Sequence, residues 1–136
     1  MVYELDGDIP NAIKWYTVAA ERDMVAAQNN LGLLYKKQND LKKAEKWYTR
    51  AARKGLAEAQ YNLGLLYYSQ NDFKNAIKWF TAAGEQGFAE AQYDLGNIYL
   101  NGTGTERDDK KAEEWFTKAA KQKHMSAIKA LQLFQH

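Results

Sequence analysis

The feature that most constrains this chain is a unit that recurs at an interval of 32 residues. Between Ala59 and Gly87 it reads Ala-Gln-Tyr-Asn-Leu-Gly-Leu-Leu-Tyr, then a polar break, then Ala-Ile-Lys-Trp-Phe-Thr-Ala-Ala. One interval earlier, Ala59, Leu63, Gly64, Tyr67, Ala76, Trp79 and Ala83 become Ala27, Leu31, Gly32, Tyr35, Ala44, Trp47 and Ala51. One interval later come Ala91, Leu95, Gly96 and Tyr99, and after four extra residues Ala112, Trp115 and Ala119. All four tryptophans, Trp15, Trp47, Trp79 and Trp115, hold one position of the unit. A fixed period of this size marks stacked repeats in which no single unit buries its own apolar face, so function is expected on a surface.

Each unit reads as a helical hairpin. Ala59, Leu63, Leu66 and Tyr67 fall at i, i+4, i+7 and i+8, and Phe73, Ala76, Trp79, Phe80 and Ala83 do the same in the second half, so each set shares one helix face. One proline in 136 residues suits a nearly all-helical chain. Asp8, Asp40, Asp72 and Asp108 stand where helix caps are needed, with Pro10 tolerated in a first turn. The spacing predicts helices over 8–21, 24–37, 40–54, 56–69, 72–85, 88–100 and 108–122. Gly55 and Gly87 sit where a left-handed residue would join hairpins, and Asp23 and Lys123 hold the equivalent places. Gly32, Gly64 and Gly96 each cost about 1 kcal/mol in mid-helix relative to alanine, which points to close approach of a neighbouring helix.

The expected organisation is a single repeat domain over 1–136. It comprises a truncated first repeat (1–22), repeats at 23–54, 55–86 and 87–122, and a C-terminal capping helix within 123–136. Met1, Val2 and Tyr3 align with Leu33, Leu34 and Tyr35, so the chain reads as starting inside a helix. The hairpin around Trp15 and Tyr16 is then expected to expose apolar surface, favouring self-association or continuation into a further repeat.

Composition narrows the function classes. With 19 basic and 17 acidic residues the net charge is only +2, too small to attract nucleic acid or acidic lipid as a whole. There is no cysteine, hence no disulfide, thiolate metal site or cysteine nucleophile. No apolar run spans a membrane and no leader precedes the repeats, so the expected setting is cytoplasmic; a secreted or periplasmic origin stays open for a fragment. Gly102-Thr103-Gly104 lacks the Lys-Ser/Thr of a phosphate loop and reads as a turn. His124 and His136 have no ligand spacing to another histidine or a patterned carboxylate. No catalytic constellation, metal site or cofactor site is found.

The pattern Ala-x-x-x-Leu-Gly-x-x-Tyr followed by Lys-Ala-x-x-Trp and Ala-Ala resembles the Sel-one-like repeat (SLR), a relative of the tetratricopeptide repeat. The fourth unit fits best, with Leu95-Gly96, Tyr99, Asn101-Gly102-Thr103-Gly104, Asp108, Lys111-Ala112, Trp115 and Ala119-Ala120. The middle units lack the four-residue insertion and resemble classical tetratricopeptide repeats. The resemblance implies an all-α, right-handed superhelical solenoid of antiparallel hairpins that acts as a non-catalytic adaptor for protein partners.

By that resemblance, outward positions of the first helices line a concave surface that would take a peptide or a partner helix. They are Asn29, Leu33 and Lys36, then Glu58, Tyr61, Leu65 and Tyr68, then Glu90, Tyr93 and Asn97, an unusual share of tyrosine and leucine for a solvent face. The competing reading is that Tyr61 and Tyr93 pack between neighbouring units. A second surface, Lys42, Lys43, Lys46, Arg50 and Arg53, forms a basic convex patch. It carries the alternative of nucleic-acid binding, weakened by a lack of interleaved aromatics and by Asn75, Lys78 and Glu85 in the next unit.

Overall fold

A computed structural model describes residues 8–134, with the side chain of Phe134 excepted. The expected start within a helix at Met1 to Tyr3, and His136, lie outside these residues. Among the described residues there are eight helices and no strand: α1 (Ile9–Glu21), α2 (Val25–Lys37), α3 (Leu41–Arg53), α4 (Ala57–Ser69), α5 (Phe73–Glu85), α6 (Ala89–Asn101), α7 (Asp109–Lys121) and α8 (Met125–Phe134). The chain divides into two compact units, Met1–Leu63 and Gly64–His136, with the boundary inside α4.

Local chemistry sets the helix ends. The carboxylates of Asp40, Asp72 and Asp108 accept from the backbone N–H of Lys43, Asn75 and Lys111 at 3.2, 3.3 and 3.0 Å, satisfying donors that lack a partner within the helix. Asp8 holds the corresponding position but makes no side-chain cap. At every junction between hairpins the chain passes through a left-handed residue. Gly55 and Gly87 have φ of +93° and +94°, and Asp23 and Lys123 adopt the same region at +65°. The N–H of Met24, Leu56, Phe88 and His124 then returns to the carbonyl of Ala19, Ala51, Ala83 and Ala119, five residues back. Because that bond recurs with and without glycine, the turn belongs to the repeat rather than to the residue that fills it.

The turn within each hairpin is closed by another recurring bond. Asp40 N–H reaches Tyr35 O and Asp72 N–H reaches Tyr67 O, both at 2.9 Å. In the fourth repeat Asp108 N–H reaches Tyr99 O at 2.8 Å. The four inserted residues therefore leave the hairpin closure unchanged and form an excursion on one side of it.

In the first unit, Ala20, Ala27, Leu31 and Trp47 form a buried cluster, with Ile13, Tyr16, Ala19 and Tyr35 packed on it. In the second, Ala112, Phe116, Ala119 and Ala127 do so, surrounded by Tyr93, Tyr99, Leu100, Ala120, Ala130 and Leu131. The tryptophans are not the deepest residues of the second helices. Trp47 is buried, but Trp79 and Trp115 are half-buried and Trp15 is 65% exposed, in line with the apolar surface expected there. The neighbouring ring goes deepest: Tyr48, Phe80 and Phe116 are each at most 1% exposed.

Those rings account for the mid-helix glycines. A methyl group on Gly32 would stand 2.5 Å from the Tyr48 ring, one on Gly64 would stand 2.7 Å from Phe80, and Gly96 is as closely covered by Phe116. The close approach read from the sequence is therefore made by an aromatic face laid on bare backbone, as Phe80 shows within the second unit. Burying such a ring is worth roughly 1.5–3 kcal/mol, which outweighs the roughly 1 kcal/mol helix cost of the glycine.

A third recurring contact involves buried glutamines. The Nε2 of Gln28, Gln60 and Gln92 donates to the carbonyl of Ala20, Ala52 and Gly84 at 3.0, 3.1 and 2.9 Å. Each of those carbonyls lies in the last turn of a helix, where it also accepts from the backbone N–H three residues on (Asp23, Gly55 and Gly87, each at 3.0 Å), so the glutamine supplies a second donor. Replacing Gln92 with leucine, close in volume but without polar atoms, removes both the bond to the Gly84 carbonyl and the acceptor of Gln122 Nε2, while Gly84 O keeps the backbone bond from Gly87 N–H at 3.0 Å. The substitution is expected to lower unfolding free energy by about 1–3 kcal/mol in a urea titration followed by circular dichroism.

Tyr48 departs from its counterparts Phe80 and Phe116 by a hydroxyl that is buried and has no hydrogen-bond partner among the described residues. Burial pushes its pKa up to about 12. The folded chain then keeps a proton that the unfolded chain, with a tyrosine near its ordinary value of about 10, gives up, so stability falls as pH rises through about 10 towards 12. Tyr48→Phe is expected to raise stability by about 1 kcal/mol at pH 7, where only the unpaired hydroxyl is removed, and by more at pH 11. Unfolding titrations of both proteins at the two pH values measure this.

Candidate partner-binding surface

The first-helix positions singled out by sequence divide by environment. In the first unit, Asn29 is only 2% exposed and its Oδ1 accepts from Asn62 Nδ2 at 3.0 Å, so it fastens α2 to α4 and is withdrawn from the surface. The helical spacing placed it outward, but a side-chain amide that finds a partner across two helices is stable inside. Leu33 and Tyr61 are half-buried, and Lys36 and Glu58 are exposed.

In the second unit the α6 positions are engaged at one end and open at the other. Tyr93 is half-buried, its ring stacked on His124 at 4.7 Å between centroids and tilted against Phe116 at 5.8 Å. Tyr93 thus packs against α7 and the residue that precedes α8. Glu90 Oε1 meets His124 Nε2 at 2.7 Å, while the backbone N–H of Ala127 donates to His124 Nδ1 at 3.2 Å. An Nδ1 that accepts carries no proton, so Nε2 carries it and donates to Glu90. His124 therefore caps α8 and fastens it to α6, a role no ligand-spacing rule could reveal. Gln122 adds to the same seam, its Nε2 donating to Gly87 O at 2.7 Å and Gln92 Oε1 at 3.0 Å.

Two clefts flank the remaining α6 face. One, of about 590 Å³, is lined by Tyr93, Asn97 and Leu100 of α6, Arg107 and Asp109 at the start of α7, and α8 residues including Lys129 and Leu133. Arg107 Nε and Asp109 Oδ1 pair at 2.9 Å in its wall, which raises the pKa of that guanidinium further. The other, of about 240 Å³, is lined by Leu65 and Tyr68 of α4, Phe80 of α5, and Asp94, Asn97, Ile98, Asn101 and Thr103. Asn97 belongs to both. Four of the positions singled out by sequence, Leu65, Tyr68, Tyr93 and Asn97, thus come together around α6. Asp94, Asn101 and Thr103 were not singled out: Asp94 lies one residue round the helix from Tyr93, Asn101 is the last residue of α6, one turn on from Asn97, and Thr103 lies beyond the helix in the inserted segment.

The basic patch is less free than its composition suggested. Lys46 and Arg50 lie over the Trp47 ring at 5.1 and 4.8 Å, and Lys43 lies over Tyr35 at 5.3 Å. Aromatic rings are therefore interleaved with these cations, contrary to the sequence reading, but Trp47 is only 4% exposed and lies beneath them. The cations shield the ring, as Lys78 does for Trp79 and Lys118 for Trp115. Among the described residues no three histidine, aspartate or glutamate side chains converge to hold a metal ion, and no helix is long and apolar enough to cross a membrane.

Comparison with known proteins agrees with this architecture. The family described as Sel1 repeat matches residues 89–124, and that described as Tetratricopeptide repeat matches residues 7–56 and 29–87. No curated protein sequence matches the chain significantly. Among solved structures, the chain is similar to a protective antigen present in uropathogenic Escherichia coli strains that displays an SLR fold. The identity is 37% and the TM-score 0.83, over 94% of this chain and 29% of that one. It is also similar to a Sel1 repeat protein from Oxalobacter formigenes, at 29% identity and a TM-score of 0.79, over 88% of this chain and 52% of that one. The chain thus spans only part of the length of either. Proteins built from these repeats generally serve as scaffolds for protein–protein interaction. The repeated helical hairpins, the two family matches and the two structural relatives together place this chain in the Sel1-like, tetratricopeptide-like repeat family, with its all-α solenoid fold.

Proposed function

We propose that this chain is a non-catalytic adaptor whose second unit holds an extended peptide or a partner helix along α6. The observation that carries this is the shared place of Asn97 in two clefts that also contain Leu65, Tyr68 and Tyr93. Two adjoining clefts on one helix suit a ligand with several side chains in succession. Apolar walls supply area, and the amides and hydroxyls at the rim supply hydrogen bonds to a peptide backbone. Tyr68, 40% exposed and supported edge-on by Phe73 at 5.1 Å, is an aromatic anchor whose orientation is already fixed, which lowers the entropy lost on binding.

The second-helix surface supports a nucleic-acid role poorly, since Lys46 and Arg50 already lie over the Trp47 ring and Lys43 over Tyr35. The test compares wild type with Leu65→Ala/Tyr68→Ala/Asn97→Ala as bait in extract of the source organism, after matching helicity by circular dichroism. Proteins retained by wild type are expected to be lost from the variant. The same proteins recovered with both would contradict the assignment.

A further inference from the structure

The smaller cleft has a chemical bias that the larger one lacks. Its floor is apolar: Phe80 and Ile98 are 1% and 3% exposed, and Leu65 is half-buried beside them. Its rim carries one carboxylate, that of Asp94, and no lysine, arginine or histidine. At about 240 Å³ it lies below the roughly 300–1,000 Å³ usual for small-molecule sites and suits a single long side chain.

Resting on the adaptor reading above, we infer that this cleft receives a basic side chain, lysine or arginine, from the partner segment. The methylene stem would lie on Leu65, Phe80 and Ile98, and the cationic head would meet Asp94 and the exposed face of Tyr68. A carboxylate offers about four acceptor positions, so Asp94 can take a further donor beyond the groups it already meets. The chain uses the same cation-on-tyrosine contact internally, with Lys43 over Tyr35 at 5.3 Å and Lys111 over Tyr99 at 5.1 Å.

The repeats show what makes this cleft particular. One interval before Asp94 the residue is Asn62, a neutral amide donating to Asn29. The wall comes from the inserted segment, since Thr103 lines the cleft. Next to it, Gly104, at φ +72°, is pressed so closely on Phe73 that a side chain there would collide with it. Insertion and carboxylate occur together only in the fourth repeat, so the preference belongs to this place and not to the repeat in general. Asn97 and Asn101, one turn apart on α6, stand beside the head group where a peptide backbone would pass.

The probes are three heptapeptides, acetyl-Gly-Ser-Ala-Xaa-Ala-Ser-Gly-amide, with lysine, norleucine or glutamate at Xaa. Each is titrated into the full chain and followed by ¹H–¹⁵N correlation spectra. The lysine peptide is expected to shift the amides of Asp94, Asn97, Asn101 and Thr103 and to bind about three- to tenfold tighter than norleucine, with glutamate weakest. That preference should shrink at high salt in the wild type and vanish in Asp94→Asn. The salt series needs no variant, so it decides the matter even if the substitution unfolds the chain. Equal binding of lysine and norleucine at those amides overturns the inference and leaves the adaptor reading in place. No shift at any cleft amide overturns both.

Discussion

The contact on which each hairpin depends is an aromatic ring lying directly on the backbone of a glycine in the facing helix. A ring packed directly against main chain fills the space between the two helices so completely that even a methyl group on the glycine is excluded. The relative sizes of the effects explain why the arrangement persists. The glycine costs about 1 kcal/mol of helix propensity, while burial of the ring returns roughly 1.5–3 kcal/mol. The tryptophan one residue earlier is the more visible marker of the repeat, but it lies nearer the surface and is protected by lysine and arginine side chains. Ring and tryptophan therefore divide the work between sealing the hairpin and covering its outer side.

Once hairpins are fixed this way, the remaining polar groups become a matter of satisfying helix ends. Aspartate caps the start of α3, α5 and α7, a buried glutamine takes up a carbonyl at the end of a preceding helix, and one backbone bond closes each hairpin turn. Because the closing bond tolerates four inserted residues, the fourth repeat can carry extra chain without disturbing its helices. That freedom matters for the proposed site. The inserted segment sits against Phe73 and brings Thr103 beside Tyr68 and Asn101, giving one place in the array a wall that the preceding hairpins lack.

Much of this architecture was legible in the sequence because it is periodic. Helix positions followed from spacing to within a few residues, and the left-handed turns at Asp23 and Lys123 followed from their register with Gly55 and Gly87. What escaped notice has physical reasons. The buried glutamines were visible at the repeat interval, but composition treats glutamine as a surface residue, and only the helix-end carbonyl that accepts from it in the fold explains its burial. Asn29 faced outward by helical angle alone and turned inward because Asn62 offered a partner. The role of His124 depends on Glu90 and Tyr93, more than thirty residues away along the chain, and no local pattern encodes that distance. The clefts around α6 also take in Asp94, one residue round the helix from Tyr93, and Thr103 of the inserted segment, neither of which helical spacing marks out.

The claim that a glycine and a ring act as one element is tested most directly by a double-mutant cycle on Gly64 and Phe80, with stability read from urea unfolding. Alone, Gly64→Ala should destabilise by about 1–3 kcal/mol, although alanine is the better helix former by about 1 kcal/mol. On a Phe80→Leu background, where the flat ring is gone, the same change should cost far less or become favourable, giving a coupling of about 1 kcal/mol or more. Additive effects, or a Gly64→Ala protein more stable than wild type, would contradict the account.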